Sequence, residues 1–175
     1  MRSRSLPDWL KVALPHSSNY GYIKELLREN NMHTVCEEAR CPNIGECWDK
    51  GTATFMILGD ICTRKCLYCN VKTGIPDVAD IRQSKKLARI IRKLNLKYAV
   101  ITSVTRDDLP DYGAQIFAQC VSEIRKQNKD CLVELLIPDF MNVFNSLKIV
   151  VNAKPYVIGH NIEVVRSLFP RIRPQ

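Results

Sequence analysis

Six cysteines crowd into residues 36–69, and they do so as two triplets. Cys36, Cys41 and Cys47 read C-x4-C-x5-C, while Cys62, Cys66 and Cys69 read C-x3-C-x2-C. The start of the chain has basic residues but no apolar stretch behind them. Pro7, Asp8, Lys11 and Pro15 break up any signal-peptide core. That predicts a cytoplasmic chain, whose thiols stay reduced. Neither triplet is a pair of zinc knuckles, and the one nearby histidine is His33. Each triplet offers three thiolates to one metal centre and leaves a position open. A four-iron cubane held by three cysteines keeps one iron free for a non-protein or unusual ligand. Iron–sulfur therefore stands ahead of zinc, and zinc ahead of disulfides. The other two cysteines, Cys120 and Cys131, fall on a predicted helix stripe and at a predicted strand start. They read as buried apolar side chains.

With 175 residues, 46% of them apolar, the chain is expected to build one domain or slightly more and to bury a core. It is too short for a complete eight-stranded barrel, which takes roughly 200 residues or more. No run of 18 apolar residues suggests a membrane span. The net charge of +8 raises the question of nucleic acid. Its basic residues, such as Lys85 to Lys97, are spread along helix faces with few aromatics between them, so a solvated face is the simpler reading.

From about residue 54 the pattern alternates between strands and helices. Predicted strands cover Thr54–Leu58, Tyr98–Val104, Leu132–Ile137 and Tyr156–Asn161, each apolar or β-branched through most of its length. Predicted helices lie between them. One starts at Ser84 as its cap and another carries Phe117, Cys120, Val121 and Ile124. A third carries Val143, Phe144, Leu147, Val150 and Val151. A fourth begins at Val164 and is ended by Pro170 and Pro174. Upstream, Ser18 is expected to cap a helix through Asn30, and Pro42, Asn43 and Gly45 to keep the first triplet out of regular helix. Parallel βα units carry their chemistry in the loops at the carboxyl ends of the strands. The second triplet, Thr102 and Ser103, Asp139, and His160 with Asn161 all fall there. Glu134 is a charge inside an apolar strand: either it faces a helix edge or solvent, or, facing a barrel interior, it calls for a ligand or a cation.

The run Cys62-Thr63-Arg64-Lys65-Cys66-Leu67-Tyr68-Cys69 resembles the cluster loop of radical S-adenosylmethionine enzymes. The upstream run Cys36-Glu37-Glu38-Ala39-Arg40-Cys41-Pro42-Asn43-Ile44-Gly45-Glu46-Cys47-Trp48 is more specific and resembles the auxiliary-cluster motif of the lipoyl synthase family. Gly51 to Gly59, Val100 to Leu109, Pro138-Asp139-Phe140 and His160-Asn161-Ile162-Glu163 are similar to that family too, from about Tyr22 to the last residues. The resemblance implies an α/β fold: a partial TIM-like radical SAM barrel of parallel βα units, about four strands long. Residues 51–175 would form it, and residues 1–50 would be an N-terminal extension bearing the auxiliary cluster motif.

It also implies two [4Fe-4S] clusters, one on Cys62, Cys66 and Cys69 and an auxiliary one on Cys36, Cys41 and Cys47, with S-adenosylmethionine as cofactor. In the family the first cluster cleaves S-adenosylmethionine to a 5′-deoxyadenosyl radical. The second gives up sulfur, so that C6 and C8 of a protein-bound octanoyl-lysine are thiolated. By the same resemblance Ser103 and Glu134 would meet the cofactor, and Asn161 would lie near the substrate end. The implied partners are octanoylated lipoyl carrier domains, such as the glycine cleavage H protein and 2-oxoacid dehydrogenase subunits, and a ferredoxin or flavodoxin type reductant. A basic surface suits acidic partners. Two features depart from the family: six βα units are expected there against four strands here, and no Arg-Ser-Ser-Tyr stretch offers a serine ligand to the auxiliary cluster. Val165-Arg166-Ser167-Leu168 is no substitute. On this reading the chain resembles an interrupted or partial one that is inactive alone. Its rivals are another radical SAM enzyme and a non-enzymatic two-cluster electron-transfer protein.

Overall fold

Strand register organises the molecule. The computed structural model describes residues 18–38 and 41–173, together with Pro7 and Lys11. Among them β2 (Thr52–Ile57), β5 (Tyr98–Ser103), β6 (Leu132–Leu136) and β7 (Val157–Gly159) form one parallel sheet in sequence order. Ala53, Phe55, Ile57, Ala99, Ile101, Val133 and Leu135 are buried. They lie on the face covered by α4 (Gln83–Lys93), α5 (Ala114–Gln127) and α6 (Phe144–Asn152). Alternation then puts Thr54, Val100 and Glu134, neighbours in register, on the opposite face. Sequential parallel strands with helices on one face are the arrangement of a βα barrel opened out. Four parallel strands were expected, and they stand within two residues of the expected starts.

The N-terminal part joins this sheet. β1 (His33–Thr34) pairs antiparallel with β2, His33 beside Met56. α1 (Ser18–Glu29) buries Ile23, Leu26 and Leu27, and Tyr20 meets the buried Trp48 ring at 5.1 Å. One hydrophobic core runs from Ile23 to Val150. No helix of the described residues is long and apolar enough to cross a membrane.

Four local expectations need correction. The first triplet does not avoid helix: α2 (Val35–Glu38) carries Cys36 and α3 (Ile44–Asp49) carries Cys47. Thr34 caps α2: its hydroxyl oxygen accepts from the Glu37 N–H at 3.3 Å and its hydroxyl donates to Glu37 Oε2 at 3.3 Å. Gly45 is tolerated because α3 is held by burial of Trp48, not by propensity. Ser84 does not cap α4; it is buried inside the first turn, and Asp80 organises that start by accepting from the Arg82 N–H at 2.9 Å. The fourth helix begins at Phe169, not Val164: α7 spans Phe169–Ile172, with Pro170 opening rather than ending it. On α6 the apolar stripe is not the buried one. Ser146 and Val150 face the core, while Phe144, Leu147 and Val151 face out. The Ser18 side chain and Pro174 lie outside the described residues.

Candidate functional site

The second cysteine triplet follows the carboxyl end of β2, and the first lies on the short helices that follow β1. All eight cysteines are free thiols. β2 ends at Ile57, and the chain turns through Leu58 and Gly59, both at positive φ. It then enters the loop of the second triplet. A two-residue ladder closes that loop: β3 (Ile61–Cys62) runs parallel to β4 (Lys72–Thr73), and the Gly74 N–H donates to the Cys62 carbonyl at 3.1 Å. Within it the Cys69 N–H donates to the Cys66 carbonyl at 3.1 Å, the turn that a C-x2-C spacing makes.

The loop is pinned on all sides. Thr63 donates to the Thr105 carbonyl through both its N–H and its hydroxyl, each at 3.0 Å, and accepts from the Asp107 N–H at 3.1 Å. The Leu67 N–H donates to the Ile172 carbonyl at 2.9 Å, bringing α7 across the mouth. Asn70 Nδ2 donates to the Glu38 carbonyl at 3.2 Å, so the two cysteine loops touch. Arg64 is the deepest anchor. Its side chain is only 4% exposed and binds Asp107 and Asp139, from the loops after β5 and β6. These two carboxylates hold the Arg64 guanidinium charged against the cost of its burial, well above its ordinary range. Burial also works against the Asp139 charge, yet Arg64, the Met141 N–H and Arg173 keep its carboxyl below the usual range.

The thiols report on one another. Burial pushes the Cys66 thiol up, and the nearby Cys62 and Cys69 add to that, against the Tyr68 hydroxyl and Arg173. Cys47 is pushed up by burial first and then by Cys36 and Cys41. The thiols of each triplet are thus within electrostatic reach of one another, and three thiolates alone would repel. A cationic iron–sulfur centre removes that repulsion, since metal binding displaces the thiol protons. Among the described residues no three such side chains stand ready for a single metal ion. A cubane is different, because each thiolate binds its own iron and the sulfurs stand farther apart.

Beside the second triplet a cavity of about 130 Å³ is lined by Tyr68, Ser103, Thr105, His160, Asn161 and Arg173, among others. Ser103 Oγ is buried there without a hydrogen-bond partner. A buried hydroxyl left unpaired costs about 1–3 kcal/mol, so it marks a place for a polar ligand. Thr102 also lines the cavity but spends its hydroxyl on the Leu136 carbonyl at 2.9 Å. Asn161 reaches it, its carbonyl fixed by Arg173 at 2.7 Å. Glu134 does not line it. Its Oε2 accepts from the Tyr98 hydroxyl, and Oε1 faces Gly159. Cys120 is fully buried, its thiol pushed up to about 12 by burial, and Cys131 is buried before β6; both take the structural role expected.

Sequence reasoning missed Arg64, Asp107 and Arg173. Arg64 lies in plain view between Cys62 and Cys66, but its partners lie 43 and 75 residues away.

Comparison with known proteins gives the family. Residues 1–41 match the profile of the N-terminal domain of lipoyl synthase of the radical SAM family, and residues 56–174 match the radical SAM superfamily. The chain is 53% identical over 169 residues to a lipoyl synthase of Chloroflexus aggregans, covering 97% of this chain and 55% of that protein. It is 52% identical to a lipoyl synthase of a Roseiflexus species, with 97% and 56% covered. The chain thus spans about half the length of these relatives.

Proposed function

Because the chain belongs to the lipoyl synthase branch of the radical SAM superfamily, we propose that it carries the cluster and cofactor end of a lipoyl synthase, which inserts sulfur at C6 and C8 of a protein-bound octanoyl-lysine. The observation that carries this reading is the pinned Cys62–Cys69 loop at the carboxyl end of β2, facing the unpartnered Ser103 hydroxyl. A four-iron cluster held by Cys62, Cys66 and Cys69 would supply the electron that cleaves S-adenosylmethionine and starts radical chemistry there.

The chain's own residues do the rest. Cys62, Cys66 and Cys69 hold one cluster, and Cys36, Cys41 and Cys47 hold the auxiliary one. Ser103 donates to the cofactor from the cavity wall. Glu134 meets it through Oε1 from the sheet face, its other oxygen held by Tyr98. Asn161 lies toward the substrate. Residues 1–50 then serve the auxiliary cluster and residues 51–175 the radical one. The substrates are octanoylated carrier domains, such as glycine cleavage H protein and 2-oxoacid dehydrogenase subunits, and a ferredoxin or flavodoxin type protein brings electrons in the cytoplasm.

Anaerobic reconstitution with iron and sulfide tests this directly. We expect about eight irons per chain, two cubanes, and release of deoxyadenosine once S-adenosylmethionine and a reductant are added. An octanoyl-lysine peptide is the substrate to supply with them. About four irons would remove the auxiliary cluster from the reading, and zinc in place of iron would defeat it.

A further inference from the structure

Arg64 sits between Cys62 and Cys66, and its neighbour Lys65 points to solvent. Its Nε donates to Asp107 Oδ2 at 2.7 Å and one terminal nitrogen to Asp107 Oδ1 at 2.9 Å. The terminal nitrogens also reach Asp139 at 2.6 and 2.8 Å and Met141 Sδ at 3.0 Å. One guanidinium thus spans two carboxylates as a double fork, a geometry that only arginine provides. At the other end of the same residue, the Arg64 N–H donates to Cys62 Sγ at 3.4 Å.

We propose that Arg64 is a positioning residue: clamped by Asp107 and Asp139, it fixes the peptide that donates to Cys62 Sγ and thereby sets the reduction potential of the cluster on this loop. The inference rests on the proposed cluster at Cys62, Cys66 and Cys69. Hydrogen bonds to cluster sulfurs are among the features that set an iron–sulfur potential. A merely mechanical anchor would be superfluous, because Thr63, Leu67 and Asn70 already tie this backbone through neutral bonds. Burying a guanidinium between two carboxylates is a costly way to repeat that work. What it adds is orientation. With Thr63 held to Thr105 on one side and the Arg64 side chain clamped on the other, the intervening peptide cannot turn its N–H away from sulfur.

The test compares the full chain with Arg64→Lys, which keeps the charge but cannot fork. Both are reconstituted anaerobically and titrated redox-wise, following the electron paramagnetic resonance signal that responds to S-adenosylmethionine. That response singles out the cluster on the second triplet. Arg64→Lys should hold as much iron as the parent chain, while its responsive signal shifts to a more negative potential and broadens. Equal potentials and line shapes at equal iron overturn the inference. If the parent chain shows no responsive signal, the cluster assignment itself fails and this inference falls with it. If only the variant takes up no iron, the metal-free proteins decide. Alkylation at Cys62, read peptide by peptide, should then rise several-fold in Arg64→Lys with Cys36 and Cys69 unchanged. An unchanged Cys62 rate overturns the inference.

Discussion

Leu58 shows how single residues set the mouth of this site. It stands at φ 70 just beyond β2, where a branched side chain is strained. Its N–H donates to Gln83 Oε1 at 2.8 Å and its carbonyl accepts from the buried Arg106 at 3.1 Å. These bonds hold the turn that launches the cysteine loop. The Leu58 side chain then packs against Gly113, where a Cβ would lie 2.3 Å from Leu58 Cδ1. Gly113 is itself at φ 86. Gly113→Ala is thus opposed by both sterics and backbone, and should cost about 2 kcal/mol. Urea unfolding of the metal-free chain would measure it, and an unchanged midpoint would sink the argument. At this scale the cysteine triplets were legible because their spacing alone singles them out as candidate ligands. Gly113, Arg64 and Asp107 were not, because what makes each matter is a partner far off in the chain.

At the scale of elements, Asp139 ties three together. It follows β6, accepts from the Met141 N–H at 3.0 Å to close a turn, and binds Arg64 and Arg173. The turn it closes is strained: Phe140, Met141 and Asn142 all sit at positive φ between 48 and 59. Net depression of the Asp139 carboxyl means that its stabilising contribution is fully present above the ordinary aspartate pKa, and is lost as pH falls through its own lower value. Thermal unfolding of the metal-free chain between neutral pH and about pH 3 should therefore steepen on its acid limb. Asp139→Asn should flatten that limb and lower the melting temperature at neutral pH; parallel acid limbs would refute it. Strands were legible here because their apolar runs leave little choice. The short helices α2, α3 and α7 were not. They form where tertiary contacts hold them, such as Trp48 under Tyr20 and Ile172 on Leu67, even where Gly45 works against helix inside α3.

Among the described residues, the β7 side of the sheet is open. β7 is one edge of the sheet, with Val157 and Ile158 over a third exposed, and α6, which precedes it, turns Phe144, Leu147 and Val151 outward. Phe144 is 72% exposed. The sequence pattern showed an apolar stripe on this helix but not which way it faces, since periodicity gives a face and only packing gives its partner. An unpaired edge beside an apolar helix face is a template for association. The chain as given should therefore sediment with a mass that rises with concentration. Phe144→Gln together with Val151→Gln removes exposed apolar surface, adds no charge, and leaves the buried Val150 in place. The double variant should stay nearer monomer at equal concentration, with an unfolding midpoint close to that of the parent. A parent chain that is monomeric throughout the concentration range would show that this face is tolerated in water. A variant that associates as strongly would move the contact elsewhere, with the unpaired backbone of β7 the first place to look.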